Sequence, residues 1–88
     1  MSLKDWIVET LTQTLDPVDL SVDDESHLHA GHGGWRPSGE THFRINVVSV
    51  AFAGKSRVDR HRIVNAAMAG AFDRGLHALA INAKAPGE

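Results

Sequence analysis

The chain has 88 residues, 23% of them charged, with a net charge of −2, six histidines and no cysteine. That length allows one domain with a small core and leaves little room for a substrate cleft between subdomains. Without cysteine there is no disulfide, no thiolate nucleophile and no all-cysteine metal or cluster site within the chain. No apolar run approaches the roughly 18 residues that span a bilayer, and the start, Met1 to Asp5, has no signal-peptide pattern. The expectation is a soluble cytoplasmic protein that neither enters membranes nor processes a small-molecule substrate. Charge is divided unevenly: residues 1–40 carry −6 and residues 41–88 carry +4, which permits a basic face on an acidic protein.

In chain order, the first predicted element is a helix from Ser2 to about Leu15. Ser2 and Asp5 form a shortened capping box. Leu3, Trp6, Ile7, Leu11 and Leu15 repeat at helical spacing, and Pro17 blocks continuation. Val18, Leu20 and Val22 then alternate with Asp19, Ser21 and Asp23, which predicts a half-buried strand. A second strand runs from about Thr41 to Val50, with Phe43, Ile45 and Val47 on one face. Between them, residues 25–40 read as a long flexible loop with four glycines and three histidines, a length that points to function or disorder.

Residues 56–73 have a helical pattern, with Val64, Ala67, Met68, Ala71 and Phe72 as the apolar stripe and Gly75 as the stop. Continued backwards, that stripe takes in Arg57, Arg60 and His61. A single straight helix would aim two arginines at the core, so the pattern predicts a break near Arg60–Ile63 and a helix–turn–helix. The last strand is Leu76 to Lys84. The order α-β-β-α-α-β predicts an α+β domain, with helices on one face of a three-stranded mixed sheet.

Five short segments, taken in order, resemble the BolA family. They are Asp24-Glu25-Ser26-His27-Leu28-His29, Glu40-Thr41-His42-Phe43-Arg44, Phe52-Ala53-Gly54-Lys55-Ser56, Arg60-His61-Arg62-Ile63-Val64-Asn65 and His77-Ala78-Leu79-Ala80-Ile81. The resemblance implies a single BolA-like domain over 1–88 with a fold similar to class II KH domains. It also implies a non-enzymatic partner of monothiol glutaredoxins bearing a CGFS motif, engaged in [2Fe–2S] cluster assembly, trafficking or iron sensing. In such complexes the glutaredoxin cysteine and a glutathione thiolate hold one iron and two BolA groups hold the other. The C-terminal histidine ligand of the family matches His77. The second, drawn from the loop as cysteine or histidine, falls on His29, with His32 as a competing loop ligand because the segment here is long. A chain without cysteine can supply no thiolate ligand, which agrees with a cluster whose thiolates come from elsewhere.

Other readings stay open at this stage. His77 could be a strand-start histidine bonded to backbone, His29 a solvated loop residue, and His42 a sheet-surface histidine near the site. His27, His29 and His32 could bind a divalent metal weakly. The basic run Lys55, Arg57, Arg60, His61 and Arg62 supports an alternative function, since the family is also described as DNA-binding transcriptional regulators acting in stress response and cell morphology. RNA binding of the KH kind is not expected: it needs a GxxG loop between the central helices, and here that pattern occurs at Gly31–Gly34 instead. No nucleophile motif points to an enzyme.

Overall fold

A computed structural model of the chain describes residues 2–26 and 41–88. The elements are α1 (Leu3–Leu15), β1 (Asp19–Asp24), β2 (His42–Val48), α2 (Arg57–Ala67), α3 (Ala69–Phe72) and β3 (Ala78–Lys84), with a 3₁₀ turn at Val50–Phe52. The expected α-β-β-α-α-β order is present. The sheet order is β1-β2-β3. β1 pairs antiparallel with β2, Val22 facing Ile45, while β2 pairs parallel with β3, His42 facing Ala78. The sheet is therefore mixed, as the sequence predicts.

Helix α1 begins where Ser2 accepts the Asp5 N–H at its side-chain oxygen. Leu3, Ile7, Leu11 and Leu15 are buried along one face. Its end comes one residue before Pro17: Asp16 takes a left-handed conformation (φ 44°) and returns its N–H to Thr12 O at 3.1 Å. The side chain of Ser49 stops β2 two residues earlier than the alternation suggests. Its hydroxyl donates to Leu15 O at 2.6 Å and accepts the Ala51 N–H at 3.1 Å, turning the chain so that Val50 is exposed and Phe52 is buried.

The core joins Leu3, Ile7, Leu11 and Leu15 of α1 to Phe43, Ile45 and Val47 of β2, with Phe52, Val64, Met68, Ala71 and Leu76. Leu79, Ile81 and Ala83 of β3 lie partly buried against it. Strand alternation puts His42, Arg44 and Asn46 on the opposite face of β2. Between α1 and α3 the approach is close. A Cβ on Gly70 would stand 3.0 Å from the Trp6 indole, so close that the ring would have to give way by a few tenths of an ångström. Arg74 covers the same indole, its guanidinium carbon 5.0 Å from the ring centroid.

The predicted helix break is displaced. Helix α2 runs unbroken through Arg60–Ile63, and the interruption falls at Met68, between α2 and α3. The reason is a partner that local periodicity cannot reveal. Arg60 bonds the carbonyls of Lys55 and Ala83 and ends in an ion pair with Glu88, which removes the need for a break. Phe72, assigned by spacing to the apolar stripe, is 45% exposed.

Candidate functional site: the histidine end of the sheet

The residues around His42 form a connected polar cluster. Asp24 Oδ1 accepts from the Ser26 N–H at 2.9 Å and from the Ser26 hydroxyl at 2.6 Å. Ser26 Oγ in turn accepts the backbone N–H of Thr41 at 2.9 Å and of His42 at 3.2 Å. These bonds join the end of β1 to the start of β2 across 15 residues of sequence. Thr41 O then receives the N–H of His77 at 2.7 Å and of Ala78 at 3.1 Å, which fixes where β3 begins. Every buried polar side-chain atom among the described residues has a partner.

This cluster brings two histidines together. His42 is 6% exposed and His77 is exposed, and their ring centroids lie 5.3 Å apart with planes tilted by 53°. Two imidazoles bound to one tetrahedral ion, with metal–nitrogen bonds of about 2.0–2.1 Å, would place their centroids about 5.2 Å apart. Proton placement on His42 runs through Thr41, whose hydroxyl lies 2.8 Å from His42 Nδ1 and 3.2 Å from Ser26 Oγ. Turned toward Ser26, that hydroxyl accepts from Nδ1–H and leaves the lone pair of the neutral ring on Nε2. Turned toward His42, it donates to Nδ1. The first of these two bonds, with the ring N–H donating, is of the kind that orients a metal-binding imidazole from behind.

His77 is thus held by backbone at the strand start, as its plain structural reading predicts, with its ring turned to solvent beside His42. His27, His29 and His32 lie outside the described residues, as does most of the loop assigned to 25–40. Their segment nevertheless leaves the described fold at Ser26 and rejoins it at Thr41, and both residues belong to the hydrogen-bond cluster beneath His42 and His77. Next to the cluster, Glu25 pairs with Arg44 at 3.0 Å, and a shallow depression of about 250 Å³ runs between Glu25, His42, Arg44 and Ala78. Among the described residues, no three histidine or acidic side chains converge as a metal cage. Any ion here would need further ligands from outside the described residues or from another molecule.

The sequence placed His42 near the site but gave it only a surface role. Its burial and its link to Thr41 depend on Ser26, and the only local hint is the Ser26 and Thr41 hydroxyls flanking the long insertion. Replacing Ser26 with alanine should destabilise the domain by about 2 kcal/mol, because the Thr41 and His42 N–H groups lose their acceptor in a buried setting. A urea melt of the variant measures this; a midpoint indistinguishable from the parent would show that water replaces the hydroxyl without penalty.

The residues of the basic segment differ in exposure and pairing. Lys55, Arg57 and Arg62 are exposed, and His61 is half-buried. Arg62 lies 3.7 Å from Asp59. Arg60 is turned inward onto Glu88, whose carboxyl is held down at about 2 by the Arg60 hydrogen bonds and the Ala85 N–H. Arg60 is itself pushed further above its ordinary value by the same carboxylate.

Comparison with known proteins agrees with this architecture. The pattern of the BolA-like protein family matches residues 11–88. The chain belongs to the BolA-like family. It is 48% identical over 89 residues to the Sinorhizobium uncharacterized protein in cobS 5'region, covering all of this chain and 96% of that protein. It is 50% identical over 86 residues to the SufE-like protein 1, chloroplastic/mitochondrial, of Arabidopsis thaliana, covering 93% of this chain but only 23% of that longer protein. The solved BolA domain of SufE1 from Arabidopsis thaliana superimposes with a TM-score of 0.87 at 48% identity, over 98% of this chain and 94% of that one. The α+β fold predicted from the element order is the fold of those BolA domains. No helix among the described residues is long and apolar enough to cross a membrane.

Proposed function

We propose that this BolA-like protein is a non-enzymatic partner of a monothiol CGFS glutaredoxin and shares a bridging [2Fe–2S] cluster with it in cluster assembly, trafficking or iron sensing. The observation that carries the reading is the meeting, at one end of the sheet, of His77, His42 and both attachment points of the segment bearing His29 and His32. The donor set fits such a group: imidazoles suit one iron of a [2Fe–2S] cluster, as they do in Rieske centres, and thiolates for the other iron have to come from the glutaredoxin and glutathione because the chain has none. His77 supplies one ligand from an exposed, backbone-fixed position. His29 is the second, with His32 in competition and His42 beside them. The cluster supplies electron storage and transferable iron and sulfide; the chain supplies ligands and a docking face.

The deciding experiment mixes the chain with a CGFS glutaredoxin, glutathione, iron and sulfide under anaerobic conditions and records visible absorption and circular dichroism. A spectrum distinct from that of the glutaredoxin alone supports the reading, and an unchanged spectrum with no co-elution overturns it. As an internal control, reconstitution of the chain by itself should leave colourless protein after desalting. A stoichiometric brown species from the isolated chain would mean that it holds a cluster without borrowed thiolates.

A further inference from the structure

Strand β3 starts beside the histidine pair and ends in a different chemical setting, about 20 Å away at roughly 3.3 Å per residue. There, between the first turns of α2 and the end of β3, lies a cleft of about 380 Å³. Lys55, Arg57 and Lys84 line its exposed rim, and Arg60, with its side chain 14% exposed, lies deeper. Four of the seven basic residues in positions 41–88 therefore converge on one concavity. Ile81 and Ala83 give it an apolar wall. Among the described residues neither Lys55 nor Arg57 is in an ion pair.

The guanidinium of Arg60 is fixed from behind by backbone. Its Nε donates to Lys55 O at 3.0 Å and its Nη1 to Ala83 O at 3.3 Å. Neither bond involves Glu88, so the plane of the fork is set before any anion arrives. The outer edge of that fork receives both carboxylate oxygens of Glu88, at 2.5 and 2.7 Å. Two oxygens of a phosphate engage arginine in the same paired way. Glu88 is more loosely held: among the described residues, apart from Arg60 it is bonded only to the nearby Ala85 backbone, and its side chain is 44% exposed.

We infer that this cleft binds the phosphate of a small phosphorylated molecule of about mononucleotide size, and that Glu88 occupies the phosphate position as an internal competitor. Charge favours phosphate over a simple carboxylate, because one carboxylate leaves most of the four cations unmatched whereas a phosphate dianion neutralises more of them. Volume favours a small ligand, since the cleft falls at the lower end of the roughly 300–1,000 Å³ range of small-molecule sites. Recess favours it too: a duplex presents its phosphates on a convex backbone, which reaches Arg57 at the rim but not Arg60 below it. The apolar wall at Ile81 and Ala83 takes the rest of the ligand. The site is separate from the histidine end.

Amide NMR titrations of the full chain test this with adenosine monophosphate, inorganic phosphate and a short DNA duplex as probes. The mononucleotide should give saturable shifts at Arg57, Arg60, Ala83 and Lys84, and inorganic phosphate should move the same resonances. Glu88→Gln should tighten mononucleotide binding by up to about fivefold, the worth of an exposed ion pair that no longer competes. Arg60→Lys keeps the charge but loses the fork, and it should weaken binding at least as much as Glu88→Gln strengthens it. Arg57→Ala, at an exposed position with no ion pair among the described residues, should weaken it as well. No saturable shift at millimolar mononucleotide, or weaker binding in Glu88→Gln, overturns the proposal. So do cleft shifts produced by the duplex and not by the mononucleotide, which would assign the basic residues to nucleic acid.

Discussion

Replacement of His77 by alanine is expected to abolish the mixed cluster complex and leave only the visible circular dichroism of the glutaredoxin's own cluster-bridged form. The expectation follows from how the residue is held. Its N–H is tied to Thr41 O at 2.7 Å, immediately before the parallel pairing of β2 and β3 begins, so the imidazole has a fixed origin and an exposed ring. His29 and His32 belong to one glycine-containing segment and can stand in for each other. His29→Ala should therefore weaken the mixed complex, and the double change with His32→Ala should match the loss at His77. If the double variant keeps the parent spectrum, the second ligand lies elsewhere, with His42, already 5.3 Å from His77 between ring centroids, the next candidate, to be checked by His42→Ala. Survival of the mixed spectrum in His77→Ala itself would sink the proposed function. The complex should also loosen as pH falls, since protons compete with iron for the ring nitrogens.

The parts of this molecule that a local pattern controls were legible in the sequence. Helix α1 is set by leucine and isoleucine spacing and a serine cap, and β2 by the alternation of Phe43, Ile45 and Val47, so both stand where the pattern puts them. Misplaced features depend on contacts distant in sequence. The helix break was expected near Arg60 because the apolar stripe, continued backwards, aims two arginines at the core, and the partner of Arg60, Glu88, lies 28 residues away. Phe72 fits the stripe by spacing, yet it sits in the short helix beyond the Met68 break, where the phase set by α2 no longer holds. The site divides the same way. The family resemblance pointed to His77 as a candidate, whereas the burial of His42 rests on a serine 16 residues earlier.

The largest expected effect on stability comes from Phe52→Ala. The residue closes the 3₁₀ turn after β2, and its side chain is fully buried among the core residues that join α1, β2 and α2. Truncating a buried phenylalanine costs about 3–5 kcal/mol through lost burial and the cavity left behind. A domain of 88 residues has about 4–13 kcal/mol in total at the usual ~0.05–0.15 kcal/mol per residue. The variant should therefore melt about 12 °C or more below the parent, and at the low end of that range it will not fold at all. Phe52→Leu, which refills most of the volume, should cost about 1.5 kcal/mol or less and keeps the measurement possible. Phe72→Ala is the matched control, with the same atoms removed from a side chain that is 45% exposed; it should lie within about 1 kcal/mol of the parent, nearer to surface substitutions than to core ones. Thermal melts of the three variants decide between burial and composition. If Phe72→Ala falls as far as Phe52→Ala, the short helix α3 is packed more tightly than its exposure indicates, and the core does not end at Ala71. If neither falls, the turn after β2 is not the wedge that its burial makes it, and Met68 and Val64 close the core from the other side without it.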